Sequence, residues 1–355
     1  MRFSLFILFF LLTFNRSFSQ ADRNDLHFPE IIPKEITLGV PDTQASINQE
    51  ISGLLVIDAR YDSTVLGFYK NLANKSCSIV AGTNTVSDIS GFMKKYLAVK
   101  ESGNGNGPVI IMVLKKLWLT DELQEDKSAK NQSGPWLKGA IANFEFYCGN
   151  GDGYIPLYRF DMANVGTKDI RSNAKEYLRD VLIASVEKLI TTDFKNLPVI
   201  KNKMSLEEIE VYSKRQFNVP IVSSETYKKG VYKTFDEFKS NNPAFTNYEI
   251  KKDKFSQMIF IKDVNGEYAV RDVWGYCDGS HLYIKSADNY FELIKKQNTF
   301  ITMGVKTISK TRTLKLENVI ALGLFAGGTG NSNKKVLYSL NYKLYELDMD
   351  TGELY

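Results

Sequence analysis

The sequence predicts an α+β protein: an N-terminal α/β sandwich domain with a mixed sheet, then a mainly antiparallel β domain that opens with a short helix. Three observations carry this. Val109–Leu114 is a continuous apolar run of strand length, as expected of a strand covered on both faces. Before residue 220, two segments repeat apolar residues at i, i+3, i+4 and i+7, the spacing of one helical face. After Pro243 the pattern changes to alternation and hairpin signals.

The chain starts with Arg2, an apolar run from Phe3 to Phe14, and Ser17-Phe18-Ser19, a small-x-small pattern. Residues 1–19 therefore read as a cleaved export signal, since a run of about twelve residues is short for a bilayer span of roughly twenty. With no cysteine near that point, the mature chain is expected to begin near Gln20 without a lipid anchor or a transmembrane segment. Residues 20–50 carry Pro29, Pro33 and Pro41 and read as an extended lead-in.

The first domain is placed at residues 51–225. Leu54–Arg60 reads as a strand, and Ser87 offers an N-cap to a helix carrying Ile89, Phe92, Met93, Tyr96 and Leu97 on one face. Val109–Leu114 is the expected sheet centre. Asn143–Tyr147 and Tyr154–Phe160 flank Gly149-Asn-Gly-Asp-Gly153 and read as a hairpin. Asn173, with Glu176 three residues on, opens the longest helix, whose face is Leu178, Val181, Leu182, Val186, Leu189 and Ile190. Ser205-Leu-Glu-Glu208 is a capping box for a helix running to about Phe217 and ended by Pro220.

The second domain is placed at residues 226–355. Thr234-Phe-Asp-Glu237 caps a two-turn helix that stops at Asn241-Asn242-Pro243. Gln257–Ile261 and Tyr268–Val273 form a hairpin around Asp263–Gly266. Further strands are expected around 282–285, 300–305 and 307–316, and Val336–Leu344 alternates cleanly with period two.

Charge and composition exclude several functions. The net charge is +4 with scattered basic residues, which is a solvated surface and not the dense stripe nucleic acid requires. Only two histidines are present and no H-E-x-x-H, which excludes a His-based zinc protease; no metal and no cofactor is expected. No G-x-S-x-G elbow occurs. Gly323–Gly330 matches no phosphate-binding fingerprint. Asp348-Met-Asp350-Thr-Gly352-Glu353 copies part of a calcium loop but reads as a plain turn. Three cysteines is an odd number for an oxidising compartment, and Cys77 with Cys148 is the pair that shares a domain.

The segment richest in chemistry is Trp274–His281. Trp274, Tyr276, Asp278 and His281 form a candidate ligand surface, while Cys277 beside His281 offers a thiol and an imidazole for a hydrolase. The same residues also suit an ordinary β-turn, with Asp278-Gly279 at its tip. Carboxylates such as Asp58, Asp62, Asp161 and Asp272 are numerous enough for an acid–base couple, which sequence does not pair.

Gly230-Val-Tyr-Lys-Thr-Phe-Asp-Glu-Phe238, Asn242-Pro243 and Trp274-Gly-Tyr-Cys-Asp-Gly279 followed by Leu282-Tyr-Ile284 resemble a set of uncharacterised exported bacterial proteins. The resemblance covers residues 228–305 and implies a short aromatic helix leading into a β domain, with no activity attached. Residues 51–194 are similar only at fold level to small α/β domains of envelope accessory proteins. The reading that follows is an exported, non-enzymatic envelope or extracellular protein that binds a protein partner or a glycan. The alternatives are a hydrolase using Cys277/His281 or a carboxylate pair, and an assembly scaffold docking through Val319–Ala326.

Overall fold

The computed structural model describes residues 30–47, 50–100, 107–123, 137–149, 152–166, 168–197, 203–252, 257–263, 266–270, 272–286, 289–304 and 343–355. The export signal, the strand at 307–316, the apolar stretch 319–326, the glycine segment 323–330 and most of the alternating strand 336–344 lie outside them. Residues 31–355 form one compact unit. Its class is α+β, with one mixed sheet and two antiparallel sheets.

The mixed sheet has seven strands: β1 (Ile32–Ile36), β2 (Gly53–Asp58), β3 (Gly67–Lys70), β4 (Ser76–Ala81), β5 (Val109–Leu123), β6 (Leu137–Gly149) and β7 (Tyr154–Gly166). Their order is β1-β4-β3-β5-β6-β7, with β2 also on β5. β5 is the centre the apolar run predicted, and Ile110 to Leu114 are fully buried. Ile110, Met112 and Leu114 face α1 (Thr85–Tyr96) and α2 (Ile170–Thr191), whereas Ile111 and Val113 face Ile209 of α3 (Leu206–Lys214). Covering both faces makes each such side chain worth about 1.5–3 kcal/mol relative to exposure. β1 lies within the predicted lead-in and pairs in parallel with β4.

The helix faces follow the sequence, but two caps are displaced. Asn84, three residues before Ser87, caps α1, its side chain accepting from Ser87 N at 3.1 Å. Asp169 caps α2 by accepting from Arg171 N at 2.9 Å, while Asn173 sits inside the helix with non-helical φ −118° and donates to Asp169 O. A carboxylate one turn earlier outcompetes the amide because it accepts from both the main chain and the guanidinium of Arg171. The box at Ser205 forms as expected, with Glu208 N donating to Ser205 Oγ and Ser205 N to Glu208 Oε2. Pro220, expected as a stop, instead stands at the first position of the short helix α4 (Pro220–Ser223), where its missing N–H costs nothing.

Cys77 and Cys148 do not pair; all three cysteines are free and buried. Cys77 lies on β4 and Cys148 on β6, three strand spacings apart in the order β4-β3-β5-β6. At ~4.8 Å per strand this is about 14 Å, twice the reach of a disulfide.

The C-terminal part contains β8 (Gly230–Tyr232), α5 (Phe235–Lys239), β9 (Tyr248–Lys252), β10 (Gln257–Asp263), β11 (Gly266–Val270), β12 (Gly275–Cys277), β13 (Leu282–Ser286), β14 (Asn289–Lys296), β15 (Thr299–Gly304) and β16 (Lys343–Glu346). Thr234 caps α5, accepting from Glu237 N at 3.2 Å. The antiparallel sheet β16-β15-β14-β13-β12-β8 is a central layer. One face packs Leu282, Ile284, Leu293 and Phe300 against Ile221 of α4 and Phe238 of α5. The other packs Val231, Tyr276 and Tyr290 against Ile259 and Ile261 of the three-stranded sheet β11-β10-β9.

Candidate functional site

Trp274 to His281 lies at the junction of β12 and β13. Tyr276 and Cys277 are successive strand residues and so point to opposite faces. Tyr276 enters the core between the two antiparallel sheets, its ring 4.5 Å from Tyr283 and 5.2 Å from Tyr290. Cys277 enters the helix-side core and is 0% exposed. Trp274 is half-buried on α5, with ring centroids 4.4 Å from Phe238 and 5.4 Å from Phe235.

Asp278 and His281 remain at the surface, and Asp278 organises the turn. Its Oδ1 accepts from Ser280 N at 2.8 Å and His281 N at 2.7 Å, and its Oδ2 accepts from Tyr283 OH at 3.3 Å. Burial opposes its ionisation, but the N–H bonds from His281 and Ser280 outweigh that and hold the carboxyl below its usual range. His281 Nδ1 is 3.6 Å from Asp278 Oδ2. The Cys277 thiol is pushed up by burial, and its sulfur accepts from Gly279 N at 3.3 Å. A nucleophilic thiol needs the opposite shift and an exposed position. The four residues named as a ligand surface are thus divided between two cores and one turn.

A second cluster forms where β16 and the turn after it meet the mixed sheet. Asp58 and Arg60 pair at 2.7 Å, Lys296 Nζ is 3.0 Å from the buried Asp62, and Lys116 reaches Asp348 at 2.5 Å. Glu346 is wholly buried among them; burial first, and then Asp62, push its carboxyl well above the usual range. Tyr61 OH donates to Asp350 at 3.1 Å, and Trp118 packs on Tyr355 at 5.2 Å. Asp348 and Asp350, read as a turn, form one: Gly352 N donates to Asp348 O at 2.7 Å, and Gly352 adopts φ +79°. Its carboxylates turn to Lys116 and Tyr61. Beside this seam, Tyr69, Lys70, Asp121, Lys343 and Tyr355 line a shallow cleft in which Lys343 lies 3.2 Å from Asp121. Sequence named Asp58 and Asp62 only among its many carboxylates, and nothing in it linked them to residues 346–350.

The third feature is the outer edge of β7. This strand ends the mixed sheet, and among the described residues its only partner on the far side is a single bridge from Tyr154 to Met204. A bulge between Phe146 and Tyr147 leaves Leu157 unmatched, and regular pairing resumes from Tyr158 onward. Tyr158 and Phe160 stack on Phe146 and Phe144 of β6 on the α2 side of the sheet, and Tyr158 OH donates to Ser185 O at 2.8 Å. Met162 continues that row and is 40% exposed. On the opposite face Arg159 and Asp161 form an exposed ion pair at 2.8 Å. The long open edge therefore presents main-chain donors and acceptors to a visitor in extended conformation.

Among the described residues no helix is long and apolar enough to cross a membrane, and no group of three or more His, Cys, Asp or Glu could hold a metal ion. No protein-family model matches the chain, and no curated protein matches it. Among solved structures it is similar to an uncharacterised protein at 10% identity, over 46% of this chain and 100% of the other, with a TM-score of 0.27. It is also similar to a protein of the DUF330 family from Xanthomonas campestris at 10% identity, over 44% of this chain and 92% of the other, with a TM-score of 0.28. Likeness of that degree carries no argument about function.

Proposed function

We propose that this chain is an exported, non-enzymatic binding protein of the cell envelope or its exterior, and that its partner is a protein segment added in extended form to β7. The observation that carries the reading is the outer edge of β7, which among the described residues is unpaired beyond Tyr154 and is regular from Tyr158 to Gly166. Such an edge gives affinity through main-chain hydrogen bonds and specificity through the side chains on either face. A protein partner is favoured over a glycan because the two rings of the candidate ligand surface, Trp274 and Tyr276, are spent on packing. The buried Cys277 thiol weighs against the hydrolase. Export rests on residues 1–19 and their apolar run.

A photo-crosslinking residue in place of the exposed Ala163, tested in the exporting cell, examines this directly. A discrete protein adduct from position 163, with none from the exposed Leu72, is the expected outcome. Adducts absent at 163, or equal at both positions, would refute the edge as the binding site. Recovery of the chain in the cytoplasm with residues 1–19 intact would remove the export half of the reading.

A further inference from the structure

We infer that the segment added to β7 is β7 of a second copy of this chain, paired antiparallel about a twofold axis through Phe160. This rests on the reading of the β7 edge as the binding site. An antiparallel self-pairing centred on one residue sets position i against 320 − i of the other copy. Centred on Phe160, it places Arg159 of each chain opposite Asp161 of the other on one face. On the other face it places Phe160 against Phe160, and Tyr158 against Met162. Each juxtaposition is favourable: opposite charges, an aromatic pair and a thioether beside a ring.

Neighbouring registers lack this property. Centring on Asp161 sets two carboxylates against each other, and centring on Arg159 does the same with two guanidinium groups, which is destabilising directly across a strand pair. Only the Phe160 register converts the ion pair within one strand, now exposed at 2.8 Å, into two pairs between strands. It also covers Met162, one of the few large apolar side chains left exposed among the described residues. The bulge and Pro156 fall outside the five residues from Tyr158 to Met162 that each copy supplies, so the paired stretch keeps regular geometry and all its N–H donors. A twofold arrangement of this kind is closed, so it yields a dimer and no open fibre.

The test is sedimentation of the purified protein over a concentration series, with charge-swapped variants. Wild type is expected to dimerise. Arg159→Asp, which brings four carboxylates around the axis, should weaken the dimer roughly tenfold or more. Arg159→Asp combined with Asp161→Arg should restore it to within a few fold, because the cross-strand pairs are re-formed with signs exchanged. Circular dichroism spectra unchanged in all three would show that folding is not being read. A wild type that stays monomeric across the series, or a double variant no better than the single one, overturns the self-pairing. A monomeric wild type whose position 163 crosslinks to a different protein would overturn this inference while leaving the edge as a binding site.

Discussion

The Trp274–His281 turn and the β7 edge divide chemistry and availability in opposite ways. The turn concentrates an indole, a phenol, a thiol, a carboxylate and an imidazole, yet three of the five side chains are packed into cores and the carboxylate is engaged by two N–H groups of its own turn. β7 carries ordinary strand residues, yet among the described residues its outer main chain is unpaired beyond Tyr154. Reactive residue types in a short window do not make a site when successive strand positions must face opposite layers. Bonding capacity is left unused instead at the strand edge.

Substitutions can break this comparison. The largest effect is expected for Tyr276→Ala, which removes a ring from the core between two sheets and should cost about 3–5 kcal/mol in urea unfolding; a loss below about 1 kcal/mol would return Tyr276 to the surface reading. An intermediate effect is expected at Glu346. Its folded value lies above the unfolded one, so the protonated group is favoured in the native state and stability falls as pH rises from the usual carboxylate range toward that raised value. Glu346→Gln should therefore raise the melting temperature at neutral and alkaline pH, with the gain vanishing near pH 4; a gain independent of pH would place the charge elsewhere. The smallest effects sharpen the contrast within the turn. Asp278→Ala, which loses two main-chain bonds, should cost about 1 kcal/mol, while His281→Ala should stay within ~0.5 kcal/mol by the same measurement.

What was legible in the sequence was what repeats. The apolar run of β5, the faces of α1 and α2, the box at Ser205 and the β10–β11 hairpin each rest on several residues in one register, so local pattern suffices. β3, β8 and β12 were missed because they span only three or four residues and are largely buried, so no alternation marks them. Their existence is decided by the strands beside them. The displaced cap of α2 shows the same limit at smaller scale: Asn173 and Asp169 are both good caps, and Arg171, which bonds Asp169 through main chain and guanidinium, favours the earlier one. The seam was illegible for a different reason. Asp62 and Glu346 are far apart in the chain, and only the closing of β16 onto the mixed sheet brings them together. Edge status at β7 is likewise a property of strand order.

The turn after β16 has a consequence for how the molecule is made. Asp348 contacts Lys116 across 232 positions, and Asp350 contacts Tyr61 across 289. Closing loops of that length is slow compared with forming the β5–β6–β7 meander, so contact order favours a mixed sheet assembled first, with Trp118 and Phe68 still uncovered. The growing chain would thus pass through a stage in which an aromatic patch and the β7 edge are exposed together. That interval is when aggregation competes most strongly with folding.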